Sequence, residues 1–303
     1  MSSKNIALAT CSVLPDLHED DAPIIASLAE HGITAVPAIW DDATVDWSNF
    51  DATIVRSTWD YSNRKREFLT WAQSVPNIIN EADIISWNTD KYYLKALGER
   101  GVPTIKTLWL DPNRHFSGQA INTRIPAFGD FIIKPTVSAG AQDTMRYQKS
   151  SAQARGEAIM HVKELLKSGR HVMVQPYLTN IDEIGETGLI FFQGEFSHAI
   201  SKSAIFPRGH RPTQGLYQKE VLRLTEPTTA QLKLAQQVLD TASEVLGKDL
   251  RQTLYARIDL IPDDDGNPLL LELELIEPSL FLSKSPEALD RFTRAIVNHL
   301  GKA

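Results

Sequence analysis

The chain has 303 residues, 42% of them hydrophobic and 23% charged, which suits about two soluble globular domains. Lys plus Arg number 31 against 38 Asp plus Glu, a formal charge of −7, so a nucleic-acid-binding surface is not expected. A single cysteine, Cys11, excludes an internal disulfide or a multi-cysteine metal site, and no apolar run reaches the ~20 residues of a membrane span.

With no apolar leader after Met1, these features lead us to expect a cytoplasmic protein with no membrane partner. Residues 5–10 (NIALAT) read as a buried strand. Asp21-Ala22-Pro23 opens a helix with proline at an early position; Ile24, Ile25, Leu28 and Ala29 give its apolar face, and Gly32 ends it. Strands at 33–39 and 52–56 follow, then a helix at 64–74 and a short strand at 77–80. This alternation implies a parallel sheet with right-handed crossovers, and such sheets bind ligands beyond the carboxyl ends of their strands. Two loops leave those ends with unusual chemistry: CSVLPDLHEDD at 11–21 and RSTWDY at 56–61.

In the middle we expect a helix at 90–100, a strand at 104–109, and a strand at 131–135 (FIIKP) that runs into TVSAGAQDT at 136–144. An amphipathic helix at 152–167 and a strand at 171–175 follow. The last third pairs 189–192 with 195–201 across Gln193-Gly194, then has a long helix over 228–246. A second hairpin, 254–261 with 268–276, turns at DDDGN, and a helix at 286–300 closes the chain.

Several chemistries are excluded. G-x-G-x-x-G, G-x-x-x-x-G-K-[ST], H-E-x-x-H and G-x-S-x-G are all missing, and the eight histidines are scattered. Cys11 at a strand end would be a reactive thiol only with a basic neighbour, and none is assigned to it.

The most informative stretch is 255–275. Arg257 and Asp259 are two apart on one strand, Glu272 and Glu274 two apart on its partner, so all four share a face while Ile258, Leu260, Leu271, Leu273 and Leu275 turn to a core. Three carboxylates on one buried face would repel, and a divalent cation resolves this; oxygen ligands suit Mg2+ shared with substrate phosphates. Arg257 would then balance charge on a transferring phosphoryl group. A solvated sheet face alternates in the same way, though it usually mixes in Lys and Thr. Upstream, Lys134 ends an apolar strand before Ser138-Ala139-Gly140-Ala141, a loop whose backbone N–H groups can approach phosphate oxygens. Lys91 starts a helix. Gln175-Pro176-Tyr177-Leu178 follows another apolar strand and can present an edge and a lid to an adenine, with Asp182, Glu183 and Glu186 nearby for ribose hydroxyls. Each of these is equally common on an ordinary surface; their order is what informs.

That order, Lys91, Lys134 with its small-residue loop, Gln175 to Leu178 with acids, then Arg257-x-Asp259 and Glu272-x-Glu274, resembles the ATP-grasp superfamily, which includes glutathione synthetase and D-alanine–D-alanine ligase. The resemblance implies an α/β and α+β fold: a βαβ substrate domain at 1–85, a central and lid subdomain at 86–175, and a catalytic antiparallel subdomain at 176–303. It implies ATP and Mg2+ as cofactors. Lys91 and Lys134 would contact phosphates and the adenine region, Gln175 and Leu178 the adenine pocket, Arg257 the transferred phosphate, and Asp259 and Glu272 the metal. One ligand position departs from the family, which usually has Asn where this chain has Glu274. Three loops, Thr10 to Asp21, Val55 to Tyr61 and Leu271 to Leu282, look like the cycloserine-biosynthesis branch, whose cyclo-ligase closes O-ureido-D-serine to D-cycloserine with ATP.

In this reading a carboxylate takes the γ-phosphoryl group to give an acyl phosphate, and a nitrogen then displaces phosphate. The loop at 138–144 would exclude water. The amino-acid-like substrate would lie against Arg56, Ser57, Thr58, Trp59, Asp60 and Tyr61, with Arg56 pairing a carboxylate and Asp60 an ammonium. Trp59 and Tyr61 read equally well as packing residues. Ser279 closes the substrate side. Lys202 and Arg208 reach phosphate or substrate, and Arg208 to Arg211 also reads as a basic surface turn. A dipeptide or peptide-tailoring ligase is the alternative activity, and a nucleotide-binding regulator the alternative class. The resemblance implies a homodimer.

Overall fold

The computed structural model describes residues 4–138, 140, 142–148, 152–203 and 221–301. Strands β1 (Lys4–Thr10), β2 (Ile33–Ile39), β3 (Ala52–Ser57) and β4 (Ile78–Ile79) form a parallel sheet in the order β2-β1-β3-β4. β1 and β3 are apolar on both faces because both faces are covered. Ile6, Leu8 and Ile54 pack under helices Pro23–Ala29 and Ala288–Gly301, through Ile24, Leu28, Phe292 and Ile296. Ala9 and Val55 meet Phe68, Trp71 and Ile85, from helices Lys65–Ser74 and Ala82–Asn88.

Strands β5 (Leu108–Leu110), β6 (Phe131–Pro135), β7 (Met145–Tyr147) and β8 (Val172–Pro176) make an antiparallel sheet, β5-β8-β6-β7. Phe131, Ile133, Val172 and Val174 bury one face against Ala158, Val162 and Leu165 of helix Ala152–Lys167. The third sheet is also antiparallel, β11-β10-β9-β12-β13, with β9 (Glu186–Phe192), β10 (Glu195–Lys202), β11 (Leu222–Thr225), β12 (Tyr255–Pro262) and β13 (Pro268–Glu274). Leu189, Ile258, Leu260 and Leu273 pack on helix Thr229–Leu246, whose Thr228 and Gln231 form a capping box.

The elements depart from expectation in several places, among them β7, β11 and the short helices Gly118–Asn122 and Ile181–Ile184, which were not expected. The strand expected from Thr104 starts at Leu108, since Thr104 makes only an isolated bridge to Leu270. The helix expected at 90–100 narrows to Tyr93–Glu99 after a turn in which Asp90 accepts the Tyr92 N–H, and an unforeseen helix, Ala82–Asn88, precedes it. Between Asp259/Glu272 and Leu260/Leu270 the hairpin register shifts, so Leu271 is the extra residue. That bulge takes Leu271 out of the core alternation and onto the cavity wall described below. Among the described residues no helix is long and apolar enough to cross a membrane.

Candidate active site

A cavity of about 840 Å³ opens where the three sheets meet. The loops after β1 and β3 give it His18, Glu19, Asp20, Trp59 and Tyr61. The β5–β8 sheet and the turn before helix Tyr93–Glu99 give Lys91, Lys134, Ser138, Gly140, Gln175, Tyr177 and Leu178. Its floor is the β9–β13 sheet and the loop beyond β13: Glu186, Lys202, Arg257, Asp259, Glu272, Glu274, Glu277 and Ser279.

The floor follows from strand register. Arg257 stands opposite Glu274 and Asp259 opposite Glu272. Arg257 donates to Asp259 (3.0 Å), to the Ser279 carbonyl (3.0 Å) and to Glu274. Lys202, at the end of β10, lies 2.9 Å from both Glu186 and Asp259. Arg257 and Lys202 hold the Asp259 carboxyl below its usual range against the cost of burying it. Burial raises Glu274, and Glu272 and Asp259 add to this while Arg257 opposes it. Lys91 donates to Glu272 and to the Ser138 carbonyl, each at 2.8 Å. Burial lowers Lys134, which has no ion-pair partner among the described residues, and Lys91 lowers it further. The donor set is all oxygen on one sheet face, which fits a hard divalent cation. As the side chains stand, Asp259, Glu272 and Glu274 are each claimed by a cation, and among the described residues no three potential ligands are gathered around one point.

Gly188 was not anticipated as a site residue. It lies opposite Asp259 on β9, and a Cβ there would sit 2.9 Å from the Asp259 carboxylate oxygen. A glycine inside a strand pattern was the available signal. Glu277 was also missed, because it follows β13 on a loop with no periodicity to mark it. The Tyr61 hydroxyl faces its carboxyl, and the Trp59 indole donates to its carbonyl at 3.0 Å. Burial, with Glu274 adding repulsion, pushes its pKa up to about 8.

On the nucleotide side, Gln175 is buried and donates to Thr107 at 2.9 Å. The Tyr177 ring packs 3.5 Å from the Arg146 guanidinium, and its hydroxyl donates to Asp182. Asp182 is therefore taken up by Tyr177 and Arg146, Glu183 is exposed, and neither lines the cavity. The acid that does is Glu186. Helix Ile181–Ile184 carries 182 and 183 outward, and Gly185 (φ +80°) turns the chain into β9. A Cβ on Gly185 would stand 2.3 Å from the Lys202 carbonyl, so glycine is required there.

The expected substrate loop needs correcting. Arg56, Ser57 and Thr58 are fully buried, and none of them lines the cavity; nor does Asp60. Arg56 donates to Asp21 (2.9 Å) and the Pro278 carbonyl (2.7 Å), with its guanidinium 5.1 Å from the Tyr255 ring centre. Ser57 also donates to Asp21, and Asp60 accepts from the Trp40 indole at 2.9 Å. β3 runs on to Ser57, so Arg56 and Ser57 belong to the strand's packed faces rather than to the loop beyond it, while Thr58 and Asp60 are in that loop but turned away from the cavity. Trp59 and Tyr61 do reach the cavity, and Tyr61 also stacks on Phe68 at 4.5 Å. Cys11 is buried, and burial raises its thiol pKa, which argues against a reactive role. Ala139, Ala141 and the run containing Arg208 and Arg211 lie outside the described residues.

Residues 6–80 match the family described as "D-cycloserine synthetase DcsG, N-terminal domain". The cycloserine biosynthesis protein DcsG of Streptomyces lavendulae is 36% identical, over 97% of this chain and 98% of that protein. The crystal structure of D-cycloserine synthetase DcsG superposes with a TM-score of 0.86 at 34% identity, covering 98% of this chain and 99% of the other. The ATP-grasp ligase PsnB, in a complex with a precursor variant, Mg and ADP, matches at a TM-score of 0.61 and 15% identity over 99% of each chain. That last likeness speaks for the fold alone. The chain belongs to the D-cycloserine synthetase DcsG family and has the fold of the ATP-grasp ligases.

Proposed function

We propose that this enzyme activates the carboxylate of a small amino-acid-like substrate as an acyl phosphate at the expense of ATP, and that its reaction is the closure of O-ureido-D-serine to D-cycloserine. The observation that carries the reading is a single cavity where four buried cations, Lys91, Lys134, Lys202 and Arg257, face the acids of one hairpin beside a slot walled by Ile132, Leu178 and Ile261. A triphosphate needs that many cations, and a purine fits an apolar slot flanked by a polar edge such as Gln175.

The chemistry follows from these placements. The substrate carboxylate attacks the γ-phosphorus and ADP leaves. Lys134, Lys202 and Arg257 stabilise the charge spread over the transferring oxygens. Asp259, Glu272 and Glu274 would hold Mg2+, which supplies charge neutralisation between the phosphates when bound. Glu186, on the cavity wall, would receive the ribose hydroxyls or the metal. A nitrogen then displaces phosphate; within one molecule that attack has a proximity advantage. Trp59, Tyr61 and Ser279 would wall the substrate end. We assign the substrate domain to 1–85, the central and lid subdomain to 86–175 and the catalytic subdomain to 176–303, in a cytoplasmic homodimer.

The test is ADP and phosphate release with ATP and Mg2+ across D- and L-amino acids and O-substituted serines. Release with O-ureido-D-serine, with D-cycloserine identified by mass, supports the reading. Release only with pairs of amino acids makes this a dipeptide ligase instead.

A further inference from the structure

We propose that Glu277 is the group that receives the substrate's α-ammonium and thereby restricts the enzyme to α-amino carboxylates. The inference rests on the ligase reading above and deepens it.

Glu277 lines the cavity on the loop beyond β13, three residues past Glu274 and next to Trp59 and Tyr61. The Trp59 indole donates to its carbonyl and fixes its backbone, and the Tyr61 hydroxyl faces its carboxyl. Tyr61 is itself clamped on Phe68, so the carboxyl is aimed by a rigid wall. The other four acids of the floor each have a basic partner: Lys202 for Glu186 and Asp259, Lys91 for Glu272, Arg257 for Glu274. Glu277 has none among the described residues. Toward the mouth, Asp20 is spent capping the Leu282 and Ser283 N–H groups, and Glu19 is exposed.

An acid on a cavity wall without a counter-cation ionises only at a cost, and a ligand that brings the cation removes the cost and draws it into its charged form. Glu272 and Glu274 close by make this corner repel phosphate or carboxylate. An amino acid would therefore enter with its ammonium toward Glu277 and its reacting carboxylate toward Arg257 and Lys202. That orientation leaves the carboxylate at the phosphoryl group and assigns the ammonium corner to a loop residue.

The test compares Glu277→Gln with the wild type. Glutamine keeps the size and polarity of the side chain but cannot take up the negative charge, so thermal stability should not fall. Kinetics are read with O-ureido-D-serine, or whichever amino acid of the panel releases ADP, and with its des-amino counterpart. The expected result is a rise of about 10- to 100-fold in KM for the amino substrate, the loss of one charged hydrogen bond, with kcat less affected. The preference for the amino over the des-amino compound should collapse by the same factor, while the KM for ATP and the Mg2+ half-saturation stay put. Equal losses on both compounds would overturn the proposal in favour of a structural role. A raised Mg2+ half-saturation with unchanged substrate KM would overturn it by placing Glu277 among the metal acids. A wild type that releases ADP with no amino acid refutes the ligase reading itself, a different failure that is visible before any variant is made.

Discussion

Gly188→Ala tests whether the floor of the cavity works by exact placement of Asp259. The new methyl would stand 2.9 Å from the Asp259 carboxylate oxygen and 3.6 Å from the Arg257 side chain. Ordinary contact begins near 3.4 Å, so the carboxylate must retreat by roughly half an ångström. It cannot do so freely, since Lys202 at 2.9 Å and Arg257 at 3.0 Å hold it on other sides. Misplacing a catalytic group by about 1 Å can cost ~100-fold, so half that distance should cost on the order of tenfold in kcat/KM. Overpacking destabilises by about 1–3 kcal/mol, partly offset by about 0.5–1 kcal/mol because alanine suits a strand better than glycine. The net loss of stability should then be about 0–2.5 kcal/mol, less than is needed to unfold the protein. The assay is steady-state ADP release beside thermal unfolding of the same preparation. Undiminished kcat/KM in a folded variant would refute the argument, because it would mean Asp259 can move without consequence.

Asn88→Ala should destabilise strongly: its amide donates to the Leu273 carbonyl and accepts the Leu275 N–H, each at 2.8 Å, closing the outer edge of β13. Two buried backbone groups left unpaired cost about 2–5 kcal/mol, read as a fall of roughly 5–15 °C in Tm; a fall under about 2 °C would sink the argument. His198 and His161 are both lowered from 6.5 by burial, so the fold holds them neutral. Their stabilisation is complete above about pH 6.5 and is lost as pH falls through the folded values, so His198→Gln should shrink the loss of denaturant stability between about pH 7.5 and 5.5. An unchanged pH slope would contradict this. Lys91, Lys202 and Arg257 are each tied to an acid. Phosphate can take them only if those acids gain another counter-charge. ATP should therefore bind at least about tenfold more weakly in EDTA than in Mg2+, by calorimetric titration, and Glu272→Gln should narrow that gap while abolishing turnover. Equal affinity in both buffers would remove the metal from the floor.

How much of this was legible depended on where a residue sits relative to a periodic element. Arg257 and Asp259 on β12 and Glu272 and Glu274 on β13 each stand two apart with Ile or Leu between them, so period-2 reading put them on one face, and the register agrees. FIIKP at β6 and the helix at 152–167 were legible for the same reason, strong patterning with clear ends. Arg56 shows the limit. β3 is buried on both faces, so no alternation said which way its residues point, and a charged side chain suggested a ligand where the fold supplies one from Asp21. Leu271 was misread because a bulge costs one residue of register and leaves no mark in composition.

The acids near the nucleotide carry a more general lesson. Asp182, Glu183 and Glu186 lie within five residues of one another, and composition cannot rank them. What ranks them is Gly185, whose φ of +80°, at a place where a Cβ would stand 2.3 Å from the Lys202 carbonyl, sets the direction of β9 and brings Glu186 beside Lys202. Gly188 acts similarly for Asp259, and the unpatterned loop beyond β13 does so for Glu277. In each case the chemistry is carried by an acid, but its position is decided by a neighbour with no chemistry of its own. Substitutions at Gly185 and Gly188 should therefore be read as perturbations of the site rather than of the sheet.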